Sequence, residues 1–200
     1  MTSVHRNIDL IVIGASAGGV EAVSQLLSAL PARFVTPILI VLHLPPQGPN
    51  ALASIFSRKC KCHAKEAEDK ESIAPGVIYV APSDYHLMVE PDRTLSLSRD
   101  EAWHFSRPSI DVLFESAALA YRERVLSILL TGANTDGAEG MKQIHDCGGL
   151  AWVQDPAEAS SSTMPKAALE LIDPDRIMGL AEMADCLRQL LSAQTAAEPL

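Results

Sequence analysis

Ile8-Asp9-Leu10-Ile11-Val12-Ile13-Gly14-Ala15-Ser16-Ala17-Gly18-Gly19-Val20 is the stretch on which the fold turns. Residues 8–13 are a short apolar run rich in β-branched side chains, the pattern of a buried strand. Gly14 interrupts it. From Val20 the spacing changes, and Val20, Val23, Leu26, Leu27 and Leu30 fall on one face of a helix over residues 20–30. Residues 14–19 are therefore a sharp strand-to-helix turn holding one reactive side chain, Ser16. In an open α/β sheet, function gathers at the carboxyl ends of strands, and Ser16 stands at one. Three readings fit the turn. Ser is a preferred helix N-cap. A phosphate cradle fits poorly, because Gly-x-Ser-x-Gly-Gly is not G-x-G-x-x-G and no Gly-Lys-Ser/Thr follows. The third is a nucleophile elbow, a strained turn that holds its serine exposed.

Residues 38–42 read as a second apolar strand, ending in His43-Leu44-Pro45-Pro46. The prolines forbid further ladder pairing, so His43 also stands at a strand end. If the two strands are parallel neighbours, Ser16 and His43 meet. A helix over residues 50–59 with Asn50 as cap is expected, then a third strand over 77–81. Residues 86–89 and 94–98 alternate apolar and polar side chains around Pro91-Asp92-Arg93, which predicts an antiparallel hairpin. Arg107-Pro108-Ser109-Ile110-Asp111 opens a helix running to about residue 122. Residues 125–130 are another buried strand, followed by the turn from Thr131 to Ala138 that carries Asp136. An N-cap is the plain account of that Asp; a carboxylate at a third strand end is the functional one. A helix over 138–147 closes at Gly148 and Gly149. A strand over 150–153, a helix opening at Met164-Pro165, a short strand over 177–180 and a helix over 181–191 complete the chain. One domain over residues 1–194 and a frayed tail over 195–200 are expected.

The composition narrows the function. Of 200 residues, 48% are hydrophobic and 20% charged, the profile of a folded globular chain. A net charge of −9 argues against nucleic acid or an anionic membrane as the main partner, since both demand a basic face. No apolar run is long enough to span a bilayer and no signal peptide opens the chain, so a cytoplasmic location is expected. Four cysteines are too few and too scattered for a disulfide framework. Cys60-Lys61-Cys62-His63 has no complementary ligand pair at zinc spacing, so free thiols at a helix end are expected and no metal. Cys147 and Cys186 fall in helical patterns and read as small core residues.

Ser16, His43 and Asp136 thus occupy three strand ends. Ester hydrolysis needs these residue types. Serine is a poor nucleophile until an imidazole takes its proton, and the imidazole needs a carboxylate to fix its tautomer and stabilise its cation. Their order along the chain differs from the Ser, Asp/Glu, His order of α/β-hydrolases. His86, His104 and His145 compete with His43 for the role of base but do not follow a buried parallel strand. Arg107 and Ser109 are candidates for the wall of the cleft.

Here the chain resembles a known family, the catalytic domain of the chemotaxis protein-glutamate methylesterases of CheB type. The matching pieces are Ile13-Gly-Ala-Ser-Ala-Gly-Gly-Val20, Val41-Leu-His-Leu-Pro-Pro46, Pro75-Gly-Val-Ile-Tyr-Val-Ala-Pro82 with Asp84, His86 and Leu87, Arg107-Pro-Ser-Ile-Asp-Val-Leu-Phe114, Leu130-Thr-Gly through Asp136-Gly-Ala138, and Met164-Pro165. The resemblance implies a doubly wound, mainly parallel α/β sheet with helices on both faces and an antiparallel hairpin. It implies a triad on Ser16, His43 and Asp136, no cofactor, and hydrolysis of glutamate methyl esters on the signalling helices of methyl-accepting receptors, with glutamine deamidation as a companion activity. The oxyanion and cleft candidates are Ala17, Ala133, Asn134 and Met164.

Three departures stand out. The family turn usually reads Gly-Ala-Ser-Thr-Gly-Gly, and Ala17 replaces its Thr while keeping the backbone N–H. Ala133 and Asn134 replace Met and Gly in the loop leading to the Asp. Family members typically carry a phosphorylatable receiver domain before the catalytic one, and this chain starts at the catalytic domain; regulation by a separate chain is the corresponding expectation. Two other functions compete with the methylesterase: a non-catalytic signalling or binding module, and a serine esterase acting on a different ester.

Overall fold

Leu10–Ala15 contains no polar side chain, and all six residues are buried in strand β1. Burial on both faces is the condition of a central strand in a parallel sheet covered by helices. The computed structural model describes residues 7–43, 52–60, 62–102 and 106–197. Around β1 it places β2 (Ile38–Leu42), β3 (His63–Glu66), β4 (Val77–Val80), β7 (Val125–Leu129), β8 (Leu150–Gln154) and β9 (Arg176–Met178). They form one seven-stranded sheet in the order β3-β4-β2-β1-β7-β8-β9, and every pairing in it is parallel. Strands β5 (His86–Val89) and β6 (Leu95–Ser98) pair antiparallel as a separate two-stranded sheet, the expected hairpin.

Alternate side chains of β1, β2, β4, β7 and β8 feed two cores. Ile11, Ile13, Ile38 and Ile40 pack with residues of α1 (Gly19–Ser28), α2 (Leu52–Lys59) and α6 (Leu180–Ala197). Leu10, Val12, Leu39 and Val41 pack with α3 (Ile110–Tyr121), α4 (Ala138–Asp146), α5 (Thr163–Leu171) and the hairpin. The hairpin is fastened to α3 by the Val89 N–H, which donates to Ser116 Oγ at 3.1 Å. From β1 the chain builds outward through β2, β4 and β3; from β7 it builds the other way through β8 and β9. The switch point lies between β1 and β7, where open α/β sheets form their clefts.

Several boundaries differ from the sequence expectation. Strand β1 runs on to Ala15 because Gly14 still pairs in register, with Val41 on one side and Leu129 on the other. Strand β3 has no counterpart in the sequence expectation. Its residues His-Ala-Lys-Glu carry no apolar run, and only Ala64 is buried. It is an edge strand, held by pairing with β4 rather than by its own hydrophobicity. Cys60 follows α2 as a free thiol, and Cys62 beside it is also free; burial first, then Cys60, pushes the Cys62 thiol up to about 12. Cys147 caps the end of α4 and is only half-buried, as is Cys186 in α6. Helix α6 continues through residues 195–197, tied to the sheet's amino edge by Gln194 Nε2, which donates to the Ile8 carbonyl at 2.9 Å. Asn50, Pro45, Pro46 and His104 lie outside the described residues. Among the described residues no helix is long and apolar enough to cross a membrane.

Candidate active site

The last register pair between β1 and β2 is Ala15 with Leu42. One residue further, Ser16 and His43 leave adjacent strands side by side, and the His43 N–H donates to the Ala15 carbonyl at 3.1 Å. On the other flank the Ser16 N–H donates to the Thr131 carbonyl at 2.9 Å. The serine is thereby held between the ends of β2 and β7. Gly14-Ala15-Ser16-Ala17-Gly18 has the Gly-x-Ser-x-Gly spacing of a nucleophile elbow. The cap of α1 is Gly18, with φ of 77° and no side-chain cap. A Cβ there would sit 2.7 Å from the Ser160 Cβ, so both dihedral and space call for glycine. The Ser16 hydroxyl is therefore not a helix cap, and it hydrogen-bonds to no described residue. The Ala17 N–H is likewise unpartnered among the described residues. The Ala17 carbonyl accepts from Thr131 Oγ1 at 2.8 Å, which locks the elbow to the β7 loop.

Asp136 is fully buried, and four donors surround it. Its Oδ2 accepts from His43 Nε2 at 2.8 Å and from the Ile110 N–H at 2.7 Å. Its Oδ1 accepts from the Ser109 hydroxyl at 2.8 Å and the Asp111 N–H at 3.0 Å. Three of the four donors belong to the start of α3, where free amides and the helix dipole favour a negative charge. Burial alone would raise the Asp136 pKa. The His43 hydrogen bond, the Asp111 and Ile110 amides and the His43 charge outweigh it and hold the carboxyl below its usual range.

Asp111 returns the arrangement. Its Oδ1 accepts from the Gly137 N–H at 2.9 Å and the Gly140 N–H at 2.8 Å, at the start of α4. Gly137, with φ of 95°, gives α4 no side-chain cap of its own. Each of the two helices is thus capped by a carboxyl oxygen of an aspartate at the start of the other. Burial, opposed by the Gly140 amide and reinforced by the Asp136 charge, pushes Asp111 up to about 7.

The ionised Asp136 decides the tautomer of His43. Nε2 must carry the hydrogen that Asp136 Oδ2 accepts, so neutral His43 keeps its lone pair on Nδ1. Asn134 Nδ2 stands 3.3 Å from that Nδ1. His43 itself is half-buried, with its side chain 13% exposed.

The sequence-predicted residues divide clearly. Ser16, His43 and Asp136 come to one edge of the sheet, and Asn134 joins them. Ala17 and Ala133 are exposed beside them. Met164 is fully buried; its N–H donates to the Gly132 carbonyl at 3.0 Å, so it supports the loop from beneath. Arg107 is committed to the hairpin side, with Nε donating to Asp84 at 2.9 Å and Nη1 to the Asp100 carbonyl at 2.9 Å. His86 is buried, and its Nδ1 accepts the Ser109 N–H at 3.2 Å, two bonds removed from Asp136. His145 lies on α4, half-buried. From sequence, Ser109 is a candidate for a cap or for the cleft wall, and Asp111 carries no signal of a role at the site. Both touch Asp136, and the signal for this was only their place at the start of a helix. Among the described residues no group of three or more His, Cys, Asp or Glu side chains could hold a metal.

Residues 11–187 match the family model of the CheB methylesterases. A Leptospira interrogans protein is 45% identical over 184 residues, 92% of this chain and 95% of that one. A Halalkalibacterium halodurans protein-glutamate methylesterase/protein-glutamine glutaminase is 38% identical over 181 residues, 89% of this chain and 52% of that longer protein. The crystal structure of the Thermotoga maritima CheB methylesterase catalytic domain superposes with a TM-score of 0.87 at 29% identity, covering 92% of this chain and 99% of that one. The seven parallel strands, the separate hairpin and the matched residues agree: this chain belongs to the CheB methylesterase family.

Proposed function

We propose that this chain is a serine hydrolase that cleaves glutamate methyl esters, and deamidates glutamines, on the signalling helices of chemoreceptors. The observation that carries the reading is the His43–Asp136 hydrogen bond of 2.8 Å, standing where His43 leaves β2 directly beside Ser16. The names of the relatives support the substrate class, glutamate methyl ester and glutamine side chains being carbonyl groups with a leaving group on the same carbon.

The reaction is acyl transfer in two steps. Ser16 Oγ attacks the ester carbonyl while its proton passes to His43 Nδ1. Asp136, held ionised by the start of α3, accepts from Nε2 and stabilises the imidazolium. The tetrahedral oxyanion faces the free Ala17 N–H and the amino end of α1, whose partial positive charge favours it. His43 returns the proton to the departing methoxide, and methanol leaves. Water then attacks the glutamyl-serine ester with His43 as base, which releases glutamate and restores Ser16. With glutamine the leaving group is ammonia. Loss of a single oxyanion donor costs roughly 3–4 kcal/mol.

The test is methanol release from a methylated receptor signalling domain. Ser16→Ala keeps the fold, because its hydroxyl makes no hydrogen bond to any described residue, and loses at least about 10³-fold in turnover. Near-normal turnover in that variant rules out Ser16 as nucleophile. No methanol from the wild type, with a fluorophosphonate still labelling Ser16, points to a different ester.

A further inference from the structure

We propose that the Asn134 side chain is a cap on the catalytic base: at rest its amide occupies the His43 nitrogen that must receive the Ser16 proton, and it has to be displaced before the serine can attack. The inference rests on the triad proposed above and goes beyond it, because it assigns a resting state to that triad.

A neutral imidazole offers a single lone pair in the ring plane. Asp136 Oδ2 holds the Nε2 hydrogen at 2.8 Å, which leaves Nδ1 as the acceptor. Asn134 Nδ2 is 3.3 Å from it. The orientation of the amide follows from its other contacts. Asn134 Oδ1 accepts the Asp136 N–H at 3.4 Å, and Nδ2 has a second acceptor, Ser106 Oγ, at 3.5 Å. Turned the other way, the amide oxygen would face the Nδ1 lone pair and the amide nitrogen would face the Asp136 N–H, two repulsions in place of two bonds. Ser16 Oγ meanwhile has no hydrogen-bond partner among the described residues.

The lengths separate cap from anchor. Contacts that hold Asp136 measure 2.7 to 3.0 Å. Those of Asn134 measure 3.3 to 3.5 Å, at the weak end for hydrogen bonds. Asn134 also sits half-buried between the exposed Ala133 and Thr135, so its side chain has room to leave without disturbing the core. Protonation of His43 makes both ring nitrogens donors, and the Asn134 NH₂ then opposes Nδ1–H. Transfer of the serine proton is therefore incompatible with the amide in its resting position. A bound ester that presses Ser16 toward Nδ1 displaces it; an idle serine competes with it for one lone pair.

The test uses the full chain and a small fluorophosphonate, which reads Ser16 nucleophilicity without any receptor. Labelling of Ser16 in the wild type and its loss in His43→Ala establish the triad. Asn134→Ala, shown to be folded by a cooperative thermal transition, then labels about 2- to 10-fold faster, the equivalent of one ordinary hydrogen bond released from the base. Asn134→Gly does the same and serves if the alanine variant folds poorly. A folded Asn134→Ala that labels at the wild-type rate or below overturns the cap and leaves the triad standing. His43→Ala labelling as fast as wild type overturns the triad, and the cap falls with it.

Discussion

At the scale of single residues, the decisive group is the Ser109 hydroxyl. It accepts the Val112 N–H at 3.4 Å as the cap of α3 and donates to Asp136 Oδ1 at 2.8 Å. The second bond matters more, because it is made to a buried charge and hydrogen bonds to ionised groups contribute about 1.5–3 kcal/mol. Ser109→Ala should lower the unfolding free energy by about 2 kcal/mol in urea titrations, and should slow methanol release by loosening the carboxylate that orients His43. A loss below about 0.5 kcal/mol would mean that the backbone amides of Ile110 and Asp111 hold Asp136 without help.

Helices α3 and α4 act as one unit. Asp136 precedes α4 and caps α3; Asp111 lies in the first turn of α3 and caps α4. The two carboxyl groups respond to pH in opposite directions. Folded Asp136 holds its proton less tightly than the usual value of 3.8, so its stabilisation is present above that value and is lost as pH falls through the folded one. Folded Asp111 keeps its proton to about 7, whereas the unfolded group loses it near 3.8. Between those values the folded state binds more protons, so stability falls as pH rises, by up to about 4 kcal/mol. Asp111→Asn keeps an oxygen for the Gly137 and Gly140 amides and removes the charge. Its stability between pH 4 and 8 should be flatter than that of the wild type, and its advantage should be largest above pH 7. Urea midpoints measured across that range decide it; parallel curves for the two proteins would show that Asp111 is ionised throughout.

For the whole molecule, the sheet joins two cores that otherwise lie on opposite faces. Ile11 and Ile13 of β1 serve one core and Leu10 and Val12 the other, all fully buried. Neither core can open without exposing the back of the strands that form the second. Amides of β1, β2 and β7 should therefore exchange with deuterium only through global unfolding. Amides of β3 and β9, edge strands in which most side chains are exposed or half-buried, should exchange through cheaper local opening. Equal protection of β3 and β1 would contradict this hierarchy.

Features that depend on neighbours along the chain are legible in the amino-acid order. Apolar runs marked the buried strands β1, β2 and β7, because strands covered on both faces carry few polar side chains. The three reactive residues could be placed at strand ends because a glycine or proline stops each run. Strand β3 escaped notice because an edge strand is held by its partner's backbone, which leaves no hydrophobic signature. The wiring of the site came from long-range contacts: that Gly18 rather than Ser16 caps α1, that Asp136 takes Nε2 of His43 and leaves the lone pair on Nδ1, and that Asp111 and Asp136 cap each other's helices. The tertiary structure also set Asn134 against a histidine 91 positions away and Ser109 against a carboxylate 27 positions away. Hydrogen bonds join groups through space within about 3 Å, and no local pattern of residue types records which distant donor will arrive.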